Sequence, residues 1–273
     1  MVESRRPQPA IVRRRVISEL VADGRFQRTQ DLAEHLGVST VTVRADLEEL
    51  EAQGLVRRTH GGAVGPENAV ESDFEVTRGE EPDTKARIAR ACVRLIRPGD
   101  VVMLDAGTTT TAIATLLAAT RIEGVTVVTN NLMAVFELHR ATHLRLMVTG
   151  GTFRLQQHSL VDPLGDLILD RVRADIAFVG CNGITADQGV TNANFAEADV
   201  KVRMLRKAGT RVLAADSRKV GQLHPAVVCM PQDLDHFVTD LAAAPAAATA
   251  ALVREGLHII DVDTEDDAES SQS

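Results

Sequence analysis

Four residue clusters could hold a small polar molecule, and the plainest is Leu104-Asp-Ala-Gly-Thr-Thr-Thr-Thr111. A glycine followed by Thr108, Thr109, Thr110 and Thr111 at a helix start offers amides, hydroxyls and the positive end of a helix dipole together. That combination suits a phosphate dianion. Threonine is also a good N-cap, so the run has a purely structural use as well. Three further clusters, Thr129-Asn130-Asn131, Thr149-Gly150-Gly151 and Gly180-Cys181-Asn182-Gly183, also sit where an apolar run gives out. Ligands of open α/β sheets lie at strand C-terminal ends, so four such ends predict one pocket. Glu197 and Lys201, one helical turn apart, and Asp216-Ser-Arg-Lys219 after another strand add charge. By spacing alone, Glu197 and Lys201 read as an exposed i, i+4 pair worth a few tenths of a kcal/mol.

Two other chemistries are open to these side chains. Glu197 with Lys201 could nominally move protons in an aldose-ketose phosphate isomerase, which needs a base and an electrophilic stabiliser. The Gly180 loop, however, offers Asn182, which cannot act as a carboxylic acid. His139 and His143 are four apart on an expected helix, a spacing that can chelate Zn²⁺, yet no Glu follows His139 and no third ligand is evident. Capping or surface roles fit them better, and neither metal nor cofactor is expected. Cys92, Cys181 and Cys229 are odd in number and far apart, and the first two lie in apolar segments. They read as small hydrophobes, and no enzymatic activity is expected.

The elements that must position the clusters alternate. Lys85 to Ile96 reads as a helix, Val101 to Leu104 as a strand, Thr109 to Ala119 as a helix and Val125 to Val128 as a strand. Asn131 to Arg140 then reads as a helix, Leu144 to Val148 as a strand, Leu160 to Arg171 as a helix and Ile176 to Val179 as a strand. Glu197 to Ala208 and Arg211 to Ala215 complete the series as helix and strand. Repeated strand-helix units with apolar strands predict a doubly wound, mainly parallel α/β sheet covered on both faces.

Upstream, residues 29–54 read as two helices joined by Gly37-Val-Ser39. Leu32, Ala33 and Leu36 form the buried stripe of the first, and Gly37 suits a helix end. Ser39 is the N-cap of the second, whose stripe is Val43, Leu47 and Leu50. The opposite face carries Val41, Arg44, Ala45 and Glu48, with Thr40 and Thr42 near the helix start, as in a helix that reads DNA bases. Leu55 to Val64 alternates apolar and polar residues around Gly61-Gly62, which predicts a basic hairpin, a wing. Arg28, Arg57, Arg58 and His60 join the DNA-contact candidates. The fold expected is therefore an N-terminal winged helix-turn-helix followed by a larger doubly wound α/β domain.

Residues 1–64 hold ten arginines, no lysine and nine acids, a net charge of +1, whereas the remainder of the chain carries −9. Arginine's planar fork fits phosphate or guanine, but a module so near neutral makes few phosphate contacts and needs at least two copies for specificity. A homo-oligomer, dimer or tetramer, follows as an expectation. The expected layout is a DNA reader at 8–65, a linker at 66–83, a sensing domain at 84–260 and an acidic disordered tail at 261–273. The start Met-Val-Glu-Ser-Arg-Arg lacks an apolar signal core and no apolar run approaches membrane length, so the protein is expected in the cytoplasm with no membrane partner.

From Arg13 to Asp240 the chain resembles the DeoR family of bacterial transcription regulators. The matching stretches are Val38 to Arg44, His60 to Ala63, Leu104 to Thr110, Val128 to Asn130, Thr149 to Gly151, Gly180 to Gly183 and Ala215 to Lys219. The resemblance implies a sensor domain like ribose-5-phosphate isomerase that detects phosphorylated sugars or related metabolites. It also implies a repressor of carbohydrate genes acting on double-stranded operator DNA. By the same resemblance Gly107, Thr108, Thr109 and Thr110 hold the phosphate, Asp105 and Asn130 flank the sugar, and Lys219 adds positive charge, with Lys85 a further candidate. Gly150, Gly151, Gly183, Glu197, Lys201 and Asp216 complete the effector set. The chain departs from the family pattern at Ala45, where a second arginine is usual, and at Asp162 and Val220.

Overall fold

The computed structural model describes residues 9–21, 26–52, 56–59, 61–64, 74–161, 164–241 and 243–264, and it divides into two units. The first contains α1 (Ala10–Val21), β1 (Gln27–Arg28), α2 (Thr29–Leu36), α3 (Thr40–Ala52), β2 (Arg57–Thr59) and β3 (Gly62–Val64). Its core joins Ile17 and Val21 of α1 to Leu32, Ala33 and Leu36 of α2 and to Val43, Leu47 and Leu50 of α3. These include both stripes expected from the sequence. Gly37 closes α2 in the left-handed conformation (φ 65°). Ser39 Oγ accepts a hydrogen bond from the Thr42 amide at 3.1 Å, capping α3 as its position requires. The wing forms: β2 and β3 are antiparallel, and β1 adds a third strand through Gln27 and Arg28. His60 lies outside the described residues.

The second unit opens with α4 (Phe74–Gly79) and α5 (Pro82–Arg94). Most of the segment expected as linker thus falls on these two helices or outside the described residues; Phe74 is wholly buried and its amide donates to Gln156 O. There follow β4 (Val101–Leu104), α6 (Thr108–Ala119), β5 (Thr126–Thr129), α7 (Leu132–Leu138), β6 (Arg145–Val148), β7 (Thr152–Arg154), β8 (Ser159–Val161) and α8 (Leu164–Leu169). Next come β9 (Ala174–Val179), β10 (Gly183–Thr185), β11 (Gly189–Asn192), α9 (Phe195–Lys207), β12 (Ala208–Ala214) and β13 (Ala226–Cys229). The last elements are β14 (His236–Thr239), α10 (Ala246–Arg254) and β15 (Ile259–Asp261).

Seven strands, in the order β15-β14-β12-β9-β4-β5-β6, form one wholly parallel sheet. Side chains alternate across a strand. Val102, Leu104, Ile176, Phe178 and Val212 share one core with α5 and α6 (Ile88, Cys92, Ile113, Leu117). Their neighbours Met103, Ala177, Val179 and Leu213 are equally buried on the opposite face. Both faces are therefore covered, as the uninterrupted apolar strands demand.

Two expectations are corrected. The helix read over 160–171 divides into β8, antiparallel to β7, and the short α8, because Ser159 to Val161 pair with Thr152 to Arg154. The tail read from 261 begins inside β15, where Asp261 pairs with Thr239; residues 265–273 lie outside the described set.

Candidate functional site

In the first unit α3 presents Val41, Arg44, Ala45 and Glu48 to solvent, with Ser39 exposed and Thr40 and Thr42 half-buried at its start. Arg28 on β1 and Arg57 on β2 are half-buried. Arg58 Nη1 lies 2.9 Å from Glu48 Oε1 and its amide donates to Glu51 Oε1, so two residues expected to face DNA neutralise each other here. Sequence reasoning missed Asp46. It is 2 % exposed and accepts from Arg13 Nε at 2.7 Å and Arg14 Nε at 3.1 Å, tying α1 to α3. The signal was present, since an acid three residues after Val43 and one before Leu47 falls on the buried stripe.

The second cluster gathers at the C-terminal ends of β4, β5, β9 and β12. Asp105, immediately after β4, is fully buried; its carboxylate pairs with Lys201 of α9 and accepts the Gly180 amide at 3.2 Å. Burial pushes the Asp105 carboxyl up to about 6, with Lys201 and the Gly180 amide pulling the other way. Burial works against the charge on Lys201, but Asp105 and Glu197 outweigh it and raise its pKa. Glu197, 5 % exposed, accepts from Ser159 Oγ at 2.6 Å and from Arg154, both on the β7–β8 hairpin. The surface pair read from the i, i+4 spacing is thus corrected: both members are buried and each is held by a partner distant in sequence.

Gly107 opens α6 with φ 152° and ψ 164°, a conformation essentially restricted to glycine. Thr110 Oγ1 donates to Asp105 O at 2.8 Å and Thr111 Oγ1 to Gly107 O at 2.8 Å, turning both hydroxyls onto the loop. The first amides of a helix have no partner within it, so those of Thr108, Thr109 and Thr110 stand at the positive end of α6. Asn131 fixes this loop: Nδ2 donates to Thr111 Oγ1 at 2.9 Å and Asp105 O at 3.2 Å, while Oδ1 accepts the Met133 and Ala134 amides. Asn130, 2 % exposed, donates through Nδ2 to Leu160 O at 3.1 Å, which leaves its buried Oδ1 without a protein partner.

The remaining candidates divide. Asp216 is buried and bonded by Arg218 Nε at 2.8 Å; burial raises its pKa, yet Arg218, Lys219 and Lys85 together hold it below its ordinary value. Asp216, Lys219, Lys201 and Asp105 all act electrostatically on Cys181, whose thiol burial pushes up to about 12. Lys85 is buried, its pKa lowered by desolvation against the pull of Asp216, and its Nζ donates to Thr77 O and Glu80 O at the end of α4. Gly150 and Gly151 follow β6, and the Gly150 carbonyl packs 3.1 Å from where a Cβ on Gly165 would stand. Gly183 lies within β10, where a Cβ would sit 2.2 Å from Gln222 O; close backbone packing explains the residue. The α7 helix ends at Leu138 and His139 Nδ1 lies 2.6 Å from Phe136 O, so His139 and His143 share no helical face.

Two family descriptions match the chain: a DeoR-like helix-turn-helix domain over residues 13–69 and a DeoR C-terminal sensor domain over residues 80–241. The chain belongs to the DeoR family. The HTH-type transcriptional regulator GlpR of Haloferax volcanii is 35% identical over 235 residues, covering 85% of this chain and 90% of the relative. The glycerol-3-phosphate regulon repressor of Escherichia coli is 30% identical over 206 residues, covering 76% and 81%. A solved D-ribose-5-phosphate isomerase in complex with phospho-erythronic acid aligns with 50% of this chain and 53% of its own, at 18% identity and a TM-score of 0.39. This DeoR-family member is a DNA-binding transcriptional regulator, and the isomerase reading gives way to that assignment. No helix among its described residues is long and apolar enough to cross a membrane.

Proposed function

We propose that this regulator is a homo-oligomeric repressor of a carbohydrate operon whose affinity for operator DNA is set by a phosphorylated sugar or a related metabolite. The observation that carries the effector reading is the opening of α6. Gly107 adopts its special conformation and the hydroxyls of Thr110 and Thr111 are spent on Asp105 O and Gly107 O, so the first-turn amides, which have no partner within the helix, are what α6 offers a ligand. In this reading Thr108 and Thr109 complete the phosphate cradle and Lys219 supplies charge. Asp105, Asn130, Gly150 and Gly151 border the sugar, while Glu197, Lys201 and Asp216 set the electrostatics. The Asn130 Oδ1 acceptor, buried and unpartnered, favours a ligand with hydroxyl donors. Lys85 and Gly183 support the surrounding backbone. On the DNA side, Thr40, Val41, Thr42, Arg44 and Ala45 meet base edges, with Ser39, Arg28, Arg57 and Arg58 on phosphates.

A thermal-shift screen of the full chain against phosphorylated and unphosphorylated sugars tests this. At 100 times its dissociation constant a true effector adds about 2.7 kcal/mol of stability. The shift is expected with one phosphorylated sugar and is expected to vanish in Thr108→Ala and Thr109→Ala. The same compound must change binding to operator duplex; a shift with no effect on DNA affinity would remove the control part of the reading.

A further inference from the structure

Large apolar side chains are not exposed evenly over this protein. Of the twelve exposed among the described residues, seven fall between positions 136 and 167. They surround β6, the end strand of the seven-stranded sheet, whose outer edge no described strand pairs with. Met147 and Val148 point to opposite faces of that strand and are 37% and 38% exposed, so neither face is covered at this margin as it is at the centre. Phe136 lies on α7, which packs on β6. Phe153 and Leu155 (76% exposed) lie on the hairpin that follows it, and Leu164 and Leu167 lie on α8. The pieces are physically continuous: Leu132 N donates to His158 O, the Phe153 and His158 rings stack with centroids 6.2 Å apart, and Gly165 abuts Gly150 at the end of β6.

We infer that this margin is where a second copy of the chain docks, its β6 pairing antiparallel with the first across a two-fold axis. The inference rests on the homo-oligomer reading above and gives it an interface. Two features favour a second copy over another partner. Arg145, at the start of β6, is the strand's one charged residue; antiparallel self-pairing sends the two arginines to opposite ends and brings Leu146 and Met147 together. The DNA reader, with a net charge of +1 over residues 1–64, gains specificity only as a pair, and a two-fold assembly supplies that pair.

The interface also reaches the ligand site. The hairpin that turns Phe153 and Leu155 outward holds Arg154 and Ser159 inward on Glu197. A ligand that draws on Glu197 shifts the hairpin, and so the surface against which the partner rests.

Light scattering of the full chain decides the matter, using Val148→Lys and, separately, Leu155→Glu. The wild type is expected at twice the one-chain mass or more. Both variants are expected at half the wild-type mass or less with unchanged circular dichroism, and amide exchange over 144–149 is expected to accelerate. A wild type of one-chain mass overturns the homo-oligomer reading and this interface together, leaving the face to a different protein. A wild-type assembly that Leu155→Glu leaves intact retains the oligomer and overturns the interface. Leu155 is so exposed that folding of a single chain does not depend on it, so this variant decides even if Val148→Lys fails to fold.

Discussion

Lys201 on α9 and Asp105 at the end of β4 are 96 residues apart in sequence and form a buried ion pair at the centre of the strand-end cluster. The pair fixes how the site responds to protons. Burial raises the Asp105 carboxyl from its ordinary value of about 3.9 to about 6. Between those values the folded chain binds the proton more tightly than the unfolded chain. This group's contribution to stability is therefore present below about pH 4 and is lost as pH rises to about 6. Asparagine mimics the protonated carboxyl and cannot titrate. Over that window, wild-type stability minus Asp105→Asn stability is expected to fall with rising pH in urea unfolding, and a flat difference would contradict the raised value.

Asn131 caps α7 and ties down the Gly107 loop through bonds on both sides of its amide. Asn131→Ala removes a cap worth about 1 kcal/mol and leaves buried loop acceptors unmet, for a total loss of about 2–3 kcal/mol. Urea unfolding measures this, and effector binding is expected to weaken with it. A loss below about 0.5 kcal/mol, the level of an ordinary surface substitution, would show that the loop holds its shape without Asn131.

Asp46→Ala leaves Arg13 and Arg14 without their shared acceptor at the α1–α3 junction. The expected cost is about 2–3 kcal/mol, that of hydrogen bonds to charged groups. The unfolding of the first unit in a thermal scan is expected to move to lower temperature, while effector-induced shifts persist. If operator affinity is unchanged, the junction plays no part in presenting α3.

Glu48 occupies Arg58 at 2.9 Å on the exposed side of α3, the side proposed above to meet DNA. Glu48→Gln removes the nearer of the two carboxylates beside that guanidinium and leaves Glu51 Oε2 at 4.0 Å from Nε. Binding to random duplex, followed by fluorescence anisotropy, is expected to tighten, and the logarithmic salt slope to steepen by about 0.9 for the one phosphate gained. An unchanged slope would mean that Arg58 does not reach the backbone.

These residues also mark how far the sequence could be read. Both helices of the reader, the wing, β4 and the Gly107 turn were legible because capping residues, glycines and apolar periodicity agreed within a few positions. The β7–β8 hairpin was not. Leu160, Ile168 and Leu169 mimic a helical stripe, and the antiparallel pairing of Ser159 with Arg154 only exists once the chain folds back. Arg154 and Ser159 were missed as site residues for the same reason. Spacing joined Glu197 to Lys201, whereas the fold sends one to the hairpin and the other to Asp105, a choice made by burial and not by local geometry. The short α4 carries too few turns to show a period, and its anchor, Phe74, is identified only by its burial.

The strand order sets when each part of the sheet can close as the chain is made. The reader's core closes with residues drawn from positions 17 to 63, all made before the first strand of the large sheet leaves the ribosome. Central β4 finds β5 soon afterwards, but its other neighbour, β9, is made about 70 residues later, and β15, the edge strand opposite β6, comes last of all. Long-range parallel pairing forms slowly. Each nascent chain therefore has the whole apolar core of its DNA-reading unit available while the sheet is still open and unfinished. The growing polypeptide can touch nucleic acid before it can sense a metabolite, and signal response is the last property that translation delivers.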